Sequence, residues 1–581
     1  MSVSDERARA ATGAAFLIER QHAADIFTPE SLDEELKLMR STARTFVERE
    51  IDPVFDELEH LSYELSRQAM TRAGEQGLLA VEIPEAYGGL GASKIASTVV
   101  TEALARSGSF NVTFNAHSGI GTLPLVYFGS DDQKRRYLPK LASGEWIAAY
   151  CLTEPGSGSD SLAAKTRAVL DGDAYVLNGT KMWISNAGFA DLFTVFAQID
   201  GDKFSAFLVE RDSPGLSFGA EEKKMGIKGS STRQVILENV RVPKENLLGE
   251  VGKGAHIALG TLNIGRYKLA VGAVGGVKQL IELAAGYAQE RHQFGAPIAS
   301  FGLIQDKLGR MAAEGYALES AVYRLAGEMD AVLEGVQEGP AQSRALNEYV
   351  VEYSLIKVFG SEILDMVVDE ALQVYGGYGF SADYPIELAY RNSRINRIFE
   401  GTNEINRMLT VEQLLKRAMR GSVDLMGPAQ AALQGEPVSR VEAPEALADA
   451  VLALENLKRA TLLVAGMGAM AYAQKLEHEQ ELMANAADLV GLTYLADSAL
   501  LRAERLQGTD RAARAALLAR LYTLRAVDRA RPLAVEALRR IPGGADARGR
   551  LDAYLPDHGA DLIALRREAA EAVLAADGYP L

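Results

Sequence analysis

The chain has 581 residues, nearly half of them apolar and about a quarter charged, which is too long for one hydrophobic core and ordinary for a globular protein of several domains. Its net charge of −17 argues against sequence-independent nucleic-acid binding, which needs clustered Lys and Arg, and is unfavourable for anionic membrane surfaces. Cys151 is the one cysteine, so neither an intrachain disulfide nor a thiolate metal site is expected, and none of the seven histidines stands four residues from another.

Residues 1–30 are Ala-rich without a persistent apolar stripe and read as a loosely packed extension, with no apolar signal core. Ser31-Leu-Asp-Glu34 has the capping-box pattern and predicts a helix start at Ser31. Helical periods continue through residues 31–147, punctuated by Pro84, Gly88-Gly89 and Gly129. Over residues 148–251 the period changes. Leu192–Ile199 and Phe204–Glu210 flank Asp200-Gly-Asp-Lys203, a hairpin pattern, and Ala174–Leu177 and Gln234–Leu237 read as further strands of a small sandwich or barrel.

The helical period returns over residues 252–420, with long helices predicted at 270–291, 301–334, 342–371 and 403–419, the number and length of a four-helix bundle. Gly421, Pro428, Gly435, Pro437 and Pro444 mark residues 421–443 as a linker. Leu482, Ala486, Leu489, Leu492 and Ala496 open a helical stripe in residues 444–581, a second helical domain. No apolar stretch reads as an uninterrupted membrane span of about 18 residues, so a bacterial-type cytoplasmic protein is expected. The predicted fold class is mainly α with a central β domain and an appended C-terminal helical domain.

Several motifs carry chemistry. Arg397-Ile-Phe-Glu-Gly-Thr-Asn-Glu-Ile405-Asn406 places Glu400 between an apolar pair and a glycine, where desolvation would raise its pKa and make it a usable base. The same residues also describe an ordinary helix C-terminus. Pro155-Gly-Ser-Gly-Ser-Asp160 is a tight polar loop that fits a plain surface turn or a close approach to a ligand; beside Thr153 and Trp183-Ile184-Ser185 it suits a ring with an apolar body and a polar edge. Arg291-His-Gln-Phe-Gly295 and Gln373-Val-Tyr-Gly-Gly377 fit helix ends, or a cation and an aromatic ring reaching a pyrophosphate and an adenine. Arg266, if buried near Glu400, would oppose the desolvation of that carboxyl; a surface arginine is the plain alternative. Neither a Walker sequence nor a GxGxxG fingerprint is present.

Together, Tyr150-Cys-Leu-Thr-Glu-Pro-Gly-Ser-Gly-Ser-Asp160, Lys181-Met-Trp-Ile-Ser-Asn186, Arg-x-Gln-Phe-Gly, Gln-x-x-Gly-Gly and Phe-Glu-Gly-Thr-Asn resemble the acyl-CoA dehydrogenase family over residues 35–420. Leu138-Pro-Lys-Leu-Ala-Ser-Gly-Glu145 and Phe301-Gly-Leu-Ile-Gln-Asp-Lys-Leu308 extend the likeness, and the C-terminal domain makes the chain look most like the very-long-chain branch. The resemblance implies an FAD enzyme in which Glu400 removes the α-proton of an acyl-CoA and the β-hydrogen leaves as hydride to flavin N5, giving a trans-2-enoyl-CoA. It implies flavin contacts at Tyr150, Leu152, Thr153, Gly158, Ser159, Trp183, Ile184 and Ser185. Arg291, Gln293, Phe294, Gln373, Val374, Gly376 and Gly377 match residues that reach the FAD of a neighbouring subunit, and Thr402, Asn403 and Glu404 match the segment against the adenosine half. Ser159, Asn263, Arg266 and Gly401 match substrate-side positions, and the thioester oxyanion would be met by the Glu400 main-chain N–H.

A cofactor shared across subunits implies a homodimer, and the branch implies electron-transfer flavoprotein as acceptor. In long-chain relatives glycines in the segment matching Ser107-Gly-Ser-Phe-Asn-Val-Thr113 open the pocket floor; this chain has Gly108 there but also Phe110 and Asn111, which would close it. The resemblance to the very-long-chain branch tilts the expected chain-length preference to the long side. Membrane association is a property of the branch, but no cationic amphipathic helix stands out. An acyl-CoA oxidase using dioxygen is the near alternative, and a non-catalytic assembly protein of the same fold the remote one.

Overall fold

The computed structural model describes residues 11–581. Two compact units are present, and neither is a continuous stretch of sequence: one holds residues 32–268 and 333–347, the other the rest. The boundary falls inside one helix.

The first unit begins with helices α1 (Glu34–Phe46), α2 (Tyr63–Glu75), α3 (Lys94–Leu104) and α4 (Asp131–Ser143). Asp33, not Ser31, caps α1: its side chain accepts from the Leu36 N–H, and Ser31 ends a short 3₁₀ turn. An ionised cap followed by Glu34 and Glu35 suits the positive end of the helix better than a hydroxyl. The true capping box stands at Ser130 and Gln133.

Among the described residues the sheet of this unit has eight strands, β1 (Ala148–Cys151), β2 (Arg167–Asp171), β3 (Ala174–Ser185), β4 (Leu192–Ile199), β5 (Lys203–Glu210), β6 (Leu216–Phe218), β7 (Thr232–Pro243) and β8 (Leu247–Leu248). They run in the order β6-β7-β3-β2-β4-β5-β8, with β1 parallel to β4. The predicted β4–β5 hairpin is present with Leu192 opposite Glu210 and Ile199 opposite Lys203; Asp200 (φ 54°) and Gly201 (φ 90°) make its turn. The change of period at residue 148 marks a change of secondary structure, not of core. Phe46, Met70 and Phe114 from the helices pack in one cluster with Phe193, Val195 and Phe207 from the sheet. Gly108 and Phe110 serve that packing: a side chain at Gly108 would stand 2.3 Å from Glu59 Oε1, and Phe110 is buried between Phe46 and Phe114.

Helix α5 (Gly254–Glu290) starts in the first unit and continues in the second from Leu269. By length and composition it would pass for a membrane span, contrary to the expectation above, but half of its most apolar stretch is buried inside the protein, as in a core helix. The second unit adds α6 (Gly302–Leu333), α7 (Val350–Tyr375) and α8 (Asn403–Arg420). These match the predicted bundle, except that residues 342–349 form the end of a separate short helix and a 3₁₀ turn.

The supposed linker contains helix α9 (Met426–Gln434), with Ala429 and Ala432 buried. It is followed by α10 (Ala448–Tyr472), α11 (Gln480–Arg505), α12 (Ala512–Arg540) and, nearer the C-terminus, α13 (Leu562–Ala575). A side chain at Gly466 of α10 would stand 2.8 Å from the Ala429 methyl, so the glycine lets α9 seat on α10. The predicted α11 stripe is buried, and its Gly491 accepts the Phe359 ring of α7 where any side chain would clash.

The N-terminal extension is not loose where it is described. Ala14–Leu17 are buried, the Ala14 N–H donates to Glu352 Oε1 (2.6 Å), Phe16 lies 4.7 Å from the Tyr494 ring, and Glu30 pairs with Arg502 (2.6 Å). Residues 1–10 lie outside the described residues.

Candidate active site

The predicted flavin residues of the first unit converge. β1 leads into residues 152–160, where Glu154 and Ser157 exchange main-chain hydrogen bonds (3.0 and 3.1 Å) and the Ser157 hydroxyl donates to the Asp160 carbonyl (2.6 Å). A side chain built on Gly156 or Gly158 would meet nothing within 4 Å, so this backbone is open to an approaching ligand. Alongside it, the Met182 N–H donates to the Thr153 carbonyl (2.9 Å).

The pairing of β3 with β7 shifts register between Lys181 and Ile184, and Trp183 occupies that irregularity with φ 62°. A non-glycine residue with positive φ costs roughly 1–3 kcal/mol, which the surrounding ladder must hold. The effect is to turn the indole outward, 54% exposed, beside the Thr153 segment, while Ile184 is buried in the core. Ser159 is exposed and Leu152 buried. The side chain of Tyr150 is spent on packing: its hydroxyl donates to the Ala258 carbonyl (3.2 Å) and its ring meets Phe196, so any ligand contact there falls to the main chain.

What holds this loop was not among the predicted site residues. Lys181 Nζ, fully buried, donates to Glu154 Oε1 (2.7 Å) and the Leu152 carbonyl (3.3 Å), and Glu154 also accepts from the Lys165 and Thr166 N–H groups. Burial pushes the Glu154 carboxyl up, but the Lys181 charge and the surrounding donors outweigh it and hold it below its ordinary value. Burial lowers the Lys181 ammonium, and Glu154 restores only part of that. Cys151, pushed up to about 12 by burial, offers no thiolate.

In the same unit Arg266 donates to Asn263 Oδ1 (2.7 Å), and Asn263 donates to Asn347 Oδ1 (2.9 Å); both predicted substrate-side residues are buried. Asn347 gave no signal in sequence because it lies 84 residues away.

In the helical unit Glu400 (φ 58°) and Gly401 (φ 82°) form two consecutive left-handed residues before α8. Thr402 caps α8, its hydroxyl accepting from the Ile405 N–H (3.3 Å). Glu404 sits in the first turn, where its own N–H and the Thr402 hydroxyl keep its carboxyl below the ordinary value. Glu400 is half-buried, with Oε2 sealed from solvent. The loop is bound from below: Lys357 Nζ donates to the Gly401 carbonyl (2.7 Å) and Asn403 Oδ1 (2.8 Å), and Asn406 Nδ2 donates to the Gly401 and Thr402 carbonyls (2.8 and 3.0 Å). Asn403, predicted to touch the cofactor, is therefore buried and occupied by Lys357 and Ser361. The signal for Lys357 was a lone lysine inside the apolar run Leu355–Phe359.

The remaining predicted residues form one exposed end. α5 stops at Glu290, where the helix end is predicted, and His292-Gln293 then pairs with Ala296-Pro297 across a turn at Phe294 (φ 52°) and Gly295 (φ 80°). Arg291 lies over the Tyr378 ring (5.3 Å), which joins this hairpin to the Gln373–Gly377 turn. Phe294 is 96% exposed, and Gln373, Gly376 and Gly377 are exposed beside buried Val374. Gln293 folds back on the His292 carbonyl (2.7 Å).

Family models for acyl-CoA dehydrogenases match four stretches of this chain: the N-terminal domain at residues 33–145, the middle domain at 149–240, and two C-terminal domains at 252–415 and 456–554. A probable acyl-CoA dehydrogenase of Bacillus subtilis (strain 168) is 47% identical over 98% of both chains. The mitochondrial very long-chain specific acyl-CoA dehydrogenase of Homo sapiens is 39% identical over 66% of this chain and 59% of its own length. Among solved structures, an acyl-CoA dehydrogenase complexed with FAD from Bacillus anthracis superposes with a TM-score of 0.95 at 45% identity, covering 98% of this chain and all of that one.

Proposed function

This chain belongs to the acyl-CoA dehydrogenase family, and from that premise we propose that it oxidises a long-chain acyl-CoA to the trans-2-enoyl-CoA, with Glu400 as the base. It is a flavin-dependent oxidoreductase whose cofactor is FAD. The residues present fit that group: an outward indole at Trp183, the adjoining Thr153 segment and an open glycine backbone at 156–158 suit a ring with one apolar face and a polar edge. When bound, FAD supplies the acceptor for the β-hydrogen.

The protein's own task is to take a proton from a carbon that is only weakly acidic. Glu400 serves as the carboxylate that receives it, and its main-chain N–H is the donor assigned to the thioester oxygen as enolate charge develops there. Gly401, in its left-handed conformation, lets the chain turn immediately after the base. Arg266 and Asn263 are assigned to the substrate side, and the Arg291 and Gln373–Gly377 end to a second copy's cofactor. The exposed apolar side chains of Phe294, Phe380 (89% exposed) and Leu303 (81% exposed) support a homodimer. Electron-transfer flavoprotein as acceptor, fatty-acid β-oxidation and a cytoplasmic location complete the reading.

The observation that carries it is the half-buried Glu400 in a left-handed loop anchored to a helix N-terminus. Anaerobic titration with acyl-CoAs of graded length tests it. The wild type should bleach its flavin with an optimum at long chains, while Glu400→Gln should keep its FAD, bind the same thioesters and lose nearly all reduction. Normal bleaching by Glu400→Gln would remove the base from the mechanism, and peroxide formed without added acceptor would favour the oxidase.

A further inference from the structure

We infer that the C-terminal helical domain positions the base of this reaction, through an unbroken chain of polar contacts that ends on Lys357 beneath the Glu400–Gly401 turn. The inference rests on the assignment of Glu400 as base. It concerns residues that touch neither substrate nor cofactor, so they are positioning residues.

The chain starts on α11. Asp488 accepts from Arg407 Nε (2.7 Å), and the two terminal nitrogens of Arg407 hold both oxygens of Glu362 (2.9 and 3.0 Å), a bidentate pairing that fixes direction as well as distance. Glu362 Oε1 accepts from Asn403 Nδ2 (3.0 Å), which orients that amide so that its oxygen faces Lys357 (2.8 Å). Lys357 then donates to the Gly401 carbonyl (2.7 Å). Every link lies within the helical unit.

The end of the chain is where such support is needed. Left-handed φ at a glutamate is a strained choice and persists only when neighbours over-determine it. The Gly401 carbonyl is gripped by Lys357 and Asn406 together, and turning Glu400 back to an ordinary conformation would swing that carbonyl off both donors. Lys357 is fully buried, so water cannot take over its role. Arg407 stands in the first turn and a half of α8, and its partner Asp488 lies in the appended domain, on the helix that also receives Phe359 of α7.

The test uses the full-length holoenzyme and reads the anaerobic rate of flavin reduction at saturating acyl-CoA, the dissociation constant for the thioester, FAD content, and the isotope effect with α-deuterated substrate. Lys357→Met should lower the reduction rate by about 100-fold, the scale of a misplacement near one ångström, with FAD content and thioester affinity retained and a larger isotope effect. Lys357→Arg should recover part of the rate. Asp488→Asn, at a partly exposed position, should lower the rate by about 5-fold and should have a much smaller effect in the Lys357→Met background, because the two act along one path. Wild-type reduction by Lys357→Met, or a loss confined to FAD content or affinity, overturns the inference, as does an Asp488→Asn effect that multiplies fully with Lys357→Met. If Lys357→Met fails to fold, the rate and isotope effect of Asp488→Asn decide alone. None of these outcomes bears on Glu400 itself, which Glu400→Gln tests separately.

Discussion

Two loops in this protein are each fastened by a fully buried lysine, and they are fastened differently. Lys181 holds residues 152–154 through a carboxylate, Glu154, in a true ion pair at 2.7 Å. Lys357 meets its loop through neutral acceptors, the Gly401 carbonyl and the Asn403 amide. The first arrangement suits a loop that must stay in place while its glycines at 156 and 158 stand open. The second spends the donor directly on the backbone beside Glu400, so the torsions of that residue depend on it. A charge pair fixes a segment; a charge on a peptide carbonyl fixes a conformation.

The comparison can be broken most severely at the ion pair. Glu154→Ala leaves a buried ammonium uncompensated and should cost about 3–5 kcal/mol, read as a lowered denaturation midpoint with loss of FAD. Glu154→Ala with Lys181→Met should recover most of that loss, since the penalty lies in the orphaned charge; no recovery would mean that the loop is held by something else. Next in size is Trp183→Ala, which should weaken FAD retention by about tenfold, through roughly 1.5 kcal/mol of ring contact, with little change in stability because the indole is already exposed. Thr402→Ala removes the α8 cap and should cost about 1 kcal/mol by chemical denaturation, with an accompanying fall in turnover if the cap helps to seat Glu400.

The smallest effect sharpens the contrast through pH. Because the folded-state pKa of Glu154 lies below its unfolded value, its contribution is present above the ordinary carboxylate range and disappears as pH falls through the depressed value. Acid titration of the denaturation midpoint should therefore show a limb on the acid side that Glu154→Gln flattens. Lys181 gives a slope of the same sign in an alkaline window: its lowered pKa means that stability rises with pH between the folded value and the ordinary lysine value, and levels off once the unfolded lysine has also lost its proton. An acid limb unchanged in Glu154→Gln would assign it to other carboxylates.

Several elements are legible in the residues alone because their determinants are local. The β4–β5 hairpin needs only alternation on both sides of an Asp-Gly turn, and the α11 stripe only its period. The order of the motifs points to the family and to FAD, and the matches to known proteins support both. Other readings fail for equally definite reasons. Pro and Gly make residues 421–443 look like a linker, yet Ala429 and Ala432 form a helix because Gly466, more than 30 residues on, leaves room for it. The N-terminal extension lacks a stripe, yet it packs because Glu352, Tyr494 and Arg502 supply partners that no window around residue 14 contains.

Sequence by itself determined the helix–sheet–helix order and singled out the polar glycine loop at 155–160 and the Phe-Glu-Gly-Thr-Asn motif around Glu400, since each is written in adjacent residues or in a period. Only the tertiary structure decided that Trp183 turns outward at a β-bulge, that Tyr150 turns inward, and that Glu400 stands in a left-handed turn above Lys357 and a polar path from Asp488. Those outcomes depend on which donors and acceptors meet across tens of residues, and a buried polar group takes whichever partner the packing brings within hydrogen-bond distance.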